Sequence, residues 1–199
     1  MAGFTDFITH FHFNTMRLSS FSRLSLWLAL PAALAFTSCS DDDKPAPAQG
    51  RVNTYHAAAS ANIGVKVLFD DTEKSTITYG TSTGYQALSA GSHTIKVNVA
   101  SSGANVLTQP VTVEKDKSYS YFIYANSTTT QAGLLTTDDL TAPSSGKAKI
   151  RLINLGQGAA NPVKLSTTVA AVADIPGTEA AFGAASPYVE ILPGAYNIA

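Results

Sequence analysis

The chain has 199 residues, 45% of them hydrophobic and 14% charged, with a formal net charge of −1. That length accommodates one or two small domains, and without a long basic stripe it offers no footprint for a nucleic-acid partner. The single cysteine, Cys39, excludes an intrachain disulfide and a cysteine-built metal cluster.

The leader comes first. Residues 1–15 hold no Lys or Arg and include Asp6, which opposes the positive opening of a secretion signal, so translation is expected to start at Met16. Arg17 and Arg23 then precede the apolar stretch Leu24–Phe36, and Ser38 supplies the small residue before a cleavage site. The stretch falls short of the roughly 20 apolar residues that span a bilayer. Residues 1–38 therefore read as a signal peptide. The polar, Pro-bearing run Ser40–Gln49 that follows predicts an extended tether, so residues 39–50 form one flexible segment.

Phe36-Thr37-Ser38-Cys39 resembles the lipobox of bacterial lipoproteins, with Phe where Leu is usual. The resemblance implies that Cys39 is lipidated with a diacylglyceryl group and palmitate-type chains. One acyl chain binds a membrane only marginally, at about 0.8 kcal/mol per buried methylene, whereas two or three anchor it durably. Asp41-Asp42-Asp43 after Ser40 resembles the signal that carries Bacteroidota lipoproteins to the outer face of the outer membrane. It implies a surface-exposed, lipid-anchored protein of the cell envelope, with the periplasmic face as the alternative.

From Arg51 onward the pattern has period two. Val65, Val67 and Phe69 alternate with Lys66 and Leu68 and run into the turn Asp70-Asp71-Thr72. Ile95, Val97 and Val99 alternate with Lys96 and Asn98. Val111 and Val113 lead through Lys115-Asp116-Lys117, read as a charged hairpin tip, into Ser118–Tyr124. Thr, Ser, Val, Ala and Gly are abundant, which suits strands. Short strands with turn signals between them predict an all-β sandwich or barrel.

The second half repeats the first. Arg51-Val52 aligns with Lys149-Ile150, His56 with Asn154, and Val65-Lys66-Val67 with Val163-Lys164-Leu165. After a short insertion Tyr79-Gly80 meets Phe182-Gly183, Tyr85 meets Tyr188, Leu88 meets Ile191 and Gly91 meets Gly194. The paired glycines suggest turns that need φ > 0. The first β unit is expected over 51–146. The second, over 147–199, stops before equivalents of Val97–Gly146, so a truncated unit with unpaired strand edges is the expectation.

These residues resemble a bacterial family known as domain of unknown function 4397. The resemblance rests on Arg51-Val52 leading to His56-Ala57, on Tyr79-Gly80 with Tyr85 and Ala90-Gly91, and on Lys115-Asp116-Lys117-Ser118-Tyr119. It also rests on the inter-repeat link Leu134–Pro143. It implies an exported, often lipid-anchored protein with two immunoglobulin-like antiparallel β-sandwich units in tandem. This chain departs from the pattern at Ala58-Ala59, where the family usually has Ser-Pro, and at Lys66 and Lys164, where an acidic residue is common.

Motifs of catalysis are weak. Gly80-Thr81-Ser82-Thr83-Gly84 matches the nucleophile-elbow pattern, which requires a strand, a sharp turn and a helix, then an acid and a histidine. Here it lies between strands and reads as a loop. His56 and His93 lack a third ligand for a catalytic zinc and read as strand residues with their own hydrogen bonds. Asp70-Asp71 and Asp138-Asp139 lack the ligand-rich loop of a calcium site and read as turn residues. No cofactor is expected. Tyr119, Tyr121 and Tyr124 are the candidate binding surface, because tyrosines combine apolar area with a polar tip. Tyr119 and Tyr121 share one strand face and Phe122 and Tyr124 the other, so at most one of these faces is free.

The expectation is a non-catalytic, membrane-anchored binding or adhesion module. Its partners are membrane lipid, through the acylated Cys39, and a glycan or envelope protein. The alternative is a structural spacer or an accessory subunit of an envelope complex, and an enzyme ranks last because fold alone does not establish a site.

Overall fold

The computed structural model describes residues 47–159, 161–168 and 173–198. The leader, Cys39 and the first part of the tether lie outside the described residues. The described chain is all β, as the alternating pattern predicts.

Two four-stranded sheets form the first half. One has the order β4-β1-β7-β8, from Ser82–Ser89, Gln49–His56, Ser118–Ala125 and Gln131–Thr137. The other has the order β3-β2-β5-β6, from Thr72–Ile77, Val65–Phe69, Gly91–Val99 and Asn105–Val113. All neighbours are antiparallel except β1 and β7, which run parallel with Arg51 opposite Ser118 and His56 opposite Ile123. The alternation read in the sequence is the core-facing set. Val65, Val67 and Phe69 meet Ile95, Val97, Val111 and Val113 from one sheet, and Val52, Leu88, Tyr119, Tyr121 and Ile123 from the other. Period-two alternation places these side chains on the inner faces of the pair.

The turns follow the sequence signals in part. Asp70 and Asp71 both have positive φ (47° and 66°) between paired Phe69 and Thr72, the two-residue hairpin geometry that Asp tolerates. Lys115-Asp116-Lys117 is not a hairpin tip: β6 and β7 belong to different sheets, so this turn carries the chain across the sandwich. Gly80 and its counterpart Gly183 share φ of 80° and 72°, as pairing of the repeats predicts. Gly91 also has positive φ (139°), but Gly194 does not, so that pairing fails in conformation.

The second half forms three short ladders, β9 with β13, β10 with β12 and β11 with β14. They comprise Ala148–Ile150, Val189–Ile191, Ile153–Asn154, Ala184–Ala185, Leu165–Thr167 and Tyr196–Ile198. The repeat holds at the level of partners. Lys149 faces Glu190 as Arg51 faces Ala87, and the Val163–Ala180 bridge reproduces Val65–Ile77. Leu152, Val163 and Ala180, with Leu165, make a much smaller apolar cluster than that of the first half.

Candidate binding cleft at the joint between the repeats

The tyrosines expected to form a surface do not. Tyr119, Tyr121 and Tyr124 are 5%, 0% and 8% exposed. β7 is a central strand covered on both faces. Tyr119 and Tyr121 enter the sandwich core, where burial raises the Tyr121 phenol well above its ordinary range and its hydroxyl donates to Gln109 Oε1 at 3.0 Å. Tyr124 points the other way and meets Phe182 of the second repeat edge-on, with ring centroids 5.7 Å apart.

The histidines are held by their own hydrogen bonds. His56 is buried; its Nε2–H donates to the Ile63 carbonyl at 3.1 Å while Nδ1 accepts from the Ala58 amide at 3.3 Å. Burial depresses its pKa, outweighing its bonds to backbone carbonyls. His93 belongs to a Ser–His–Asp constellation that the sequence pattern hid. Its Nδ1 lies 2.5 Å from Asp70 Oδ2 and its Nε2 lies 3.3 Å from Ser89 Oγ. The same Nε2 is 2.8 Å from the Ser89 carbonyl, to which it must donate. Burial works against protonation of His93, but the Asp70 hydrogen bond and the Ser89 carbonyl together raise its pKa. A ring donating from both nitrogens is an imidazolium clamp, not a base for Ser89. Ser82 sits within strand β4, with no turn into a helix.

Asp138 and Asp139 part company. Asp139 accepts from the Thr141 amide at 3.0 Å, a local turn bond, and from Lys149 Nζ at 2.8 Å. Lys149, then Thr141, hold its carboxyl far below the usual range. Asp138 is a junction between the repeats. From the first it receives the Tyr85 hydroxyl at 2.6 Å and Ser120 Oγ at 2.8 Å; from the second, Arg151 at 2.5 Å and Tyr188 at 3.5 Å. The Arg151 and Asp138 side chains are 9% and 3% exposed. Burial and the bond to Asp138 push the Tyr85 phenol strongly upward, and burial raises Tyr188 as well. Both carboxylates are thus engaged by cations of the chain, and no group of three or more metal-ligating side chains occurs among the described residues.

A cleft opens beside this junction. Gly50 makes it possible: a Cβ there would stand 2.6 Å from the Glu114 carbonyl, so the crossover turn can lie directly against β1. Gln49 and Arg51 clamp that turn, with the Asp116 amide donating to the Gln49 carbonyl at 2.8 Å and the Arg51 amide to the Lys117 carbonyl at 2.9 Å. Asp116 takes φ of 60° to close it. Arg51 and Lys117 are thereby brought to one wall. Arg51 Nε donates to Ser118 Oγ at 2.8 Å and its guanidinium lies 4.8 Å from the centre of the Tyr85 ring. Two cavities of about 350 and 480 Å³ share Arg51, Asp116, Lys117 and Ser118, and the larger reaches the linker Thr137–Thr141.

The sequence contained one hint of this site. Arg51 aligns with Lys149, and the second repeat again carries a cation over its equivalent tyrosine, Arg151 at 4.7 Å from Tyr188. The cation is displaced by two residues, onto the same strand face, which a strict position-by-position alignment passes over.

The model of a protein family described as "Domain of unknown function (DUF4397)" matches residues 50–165, which take in the first repeat, the joint and the opening of the second. No curated protein matches the chain.

Proposed function

The chain belongs to the DUF4397 family, and from that premise we propose that it is a lipid-anchored binding module displayed on the outer face of the cell envelope. Cys39 bears the lipid, and the residues between it and β1, which begins at Gln49 and not after the expected end of the tether at residue 50, hold the β units off the membrane. The observation that supports binding above all is the cleft at the joint, where Arg51 and Lys117 face solvent beside a junction fixed by Asp138. Its size falls within the range of about 300–1,000 Å³ common to small-ligand sites.

A non-catalytic role is supported by the chemistry of the groups nearest to a triad. His93 commits both nitrogens to donation, and the neighbouring acid serves to keep it charged. Such a ring holds a loop; it does not take a proton from a nucleophile.

The anchor is tested by growth with a clickable fatty acid. The wild-type protein should be labelled and membrane-bound, and Cys39→Ala should lose both properties; persistent labelling would overturn the assignment. Binding is tested with glycan arrays and with pull-downs from envelope fractions. No partner in either would favour the second reading, a spacer that projects other components outward. That reading draws on the Asp138 junction, since a buried link between repeats makes a stiffer stalk than a free linker.

A further inference from the structure

We propose that the joint cleft recognises a carboxylate-bearing saccharide, of the uronic-acid class, an inference that rests on the binding reading above. Three features of the site lead there.

The first is a guanidinium prepared for an oxyanion. Arg51 is fixed from two sides, by Ser118 Oγ and by the Tyr85 ring, while neither terminal nitrogen has a hydrogen-bond partner among the described residues. A planar guanidinium held this way offers its remaining N–H groups as a fork matched to a carboxylate. Lys117 has no ion pair among the described residues and lines the same wall.

The second is the charge balance. Asp138 is neutralised by Arg151 and Asp139 by Lys149. Arg51 and Lys117 share this wall with Asp116, which Lys115 pairs at 4.0 Å, so the wall keeps about two positive charges by the formal count of ionised side chains. That surplus matches the repeated carboxylates of an acidic oligomer, one on the Arg51 fork and a second beside Lys117.

The third is the backbone beneath the cleft. It is floored by β1 and β7, both central strands with neighbours on each side. A peptide cannot add to them as a further strand, because their ladder groups are already paired. Recognition has to run through side chains. Thr137, Thr141 and the 56%-exposed Leu140 line the larger cavity, a mixture of hydroxyl and apolar surface suited to a sugar. The two cavities on either side of Arg51 and Ser118 further suit an extended oligomer over a single small anion.

The test is isothermal titration calorimetry of the full chain in neutral detergent micelles with oligogalacturonate, its methyl ester and poly-L-glutamate. Oligogalacturonate should bind, and the ester at least about tenfold more weakly, since a hydrogen-bonded charge is lost. Arg51→Gln should weaken binding roughly tenfold or more, and Lys117→Gln, on an exposed turn, severalfold. Lys66→Gln, on the other sheet, should change nothing. Circular dichroism melting establishes that each variant is folded. Equal binding of acid and ester, or indifference to both cleft substitutions, would overturn the proposal. Poly-L-glutamate binding as tightly, with the same dependence on Arg51, would make the ligand an acidic peptide and overturn the saccharide class. If arrays or pull-downs find a partner whose capture ignores Arg51, this inference fails and the binding reading stands. If neither oligogalacturonate nor any envelope partner binds, both fail.

Discussion

Asp138→Ala is the substitution that most directly probes how the two repeats are joined. The carboxylate is 3% exposed and receives Arg151 at 2.5 Å, Tyr85 at 2.6 Å and Ser120 at 2.8 Å. Truncation leaves a buried guanidinium without its carboxylate, and the buried Ser120 hydroxyl and the more exposed Tyr85 hydroxyl without their acceptor. Removing one partner of a buried ion pair costs about 3–5 kcal/mol. Little screening is expected, because both side chains are shielded from solvent. For a chain of this size that cost corresponds to a fall in Tm on the order of 10 °C. Calorimetric melting of the wild type, Asp138→Ala, Arg151→Ala and the double variant closes a cycle. In the double variant the second substitution should cost far less than it does alone, giving a coupling energy above about 1 kcal/mol. Amide exchange at Lys149–Arg151 should accelerate with either single change. Additivity within about 0.5 kcal/mol, or a single-variant loss below that figure, would refute the junction.

Two further predictions concern the first repeat. Gly133→Ala should destabilise by about 1–3 kcal/mol, because a methyl there collides with the Tyr121 hydroxyl and the Gln109 side chain; urea unfolding measures it, and a neutral result would contradict the packing. The histidines should titrate in opposite directions from 6.5, His93 above and His56 below. The folded state holds the His93 proton more tightly than the unfolded state does, so its contribution is complete below pH 6.5 and lost as pH rises through its folded pKa. Asp70, held low chiefly by His93 and then by the Thr94 amide, contributes above 3.8 and stops doing so as pH falls through its folded pKa. The clamp is therefore whole in mildly acidic solution. His56 acts against it, because below pH 6.5 the unfolded chain takes a proton that the buried ring resists. Ring C2–H chemical shifts followed by NMR give the two values, and the reverse order would show that the assignments are wrong.

Much of the scaffold was legible in the chain. Val65, Val67 and Phe69 and the set Ile95, Val97, Val111 and Val113 announce inner faces by alternation alone, because a strand turns successive side chains to opposite sides. Asp70-Asp71 marks a two-residue turn because Asp tolerates positive φ. The repeat, read from paired positions such as Val65 with Val163, reappears as matched strand partners.

Other features were settled only by tertiary contact. Alternation showed that Tyr119 and Tyr121 oppose Tyr124, but not that β7 would be covered on both sides, one by the sandwich and the other by Phe182. The Lys115-Asp116-Lys117 turn has the composition of a hairpin, and only the assignment of β6 and β7 to separate sheets makes it a crossover. Asp138 resembled any turn acid until Tyr85 and Arg151, 53 and 13 residues away, met on its carboxylate. The physical reason is the range of each constraint. Side-chain direction and turn geometry follow from a few neighbouring dihedrals and are written in the sequence. What lies against a strand's second face, and which charges share a buried pocket, depends on where distant segments come to rest.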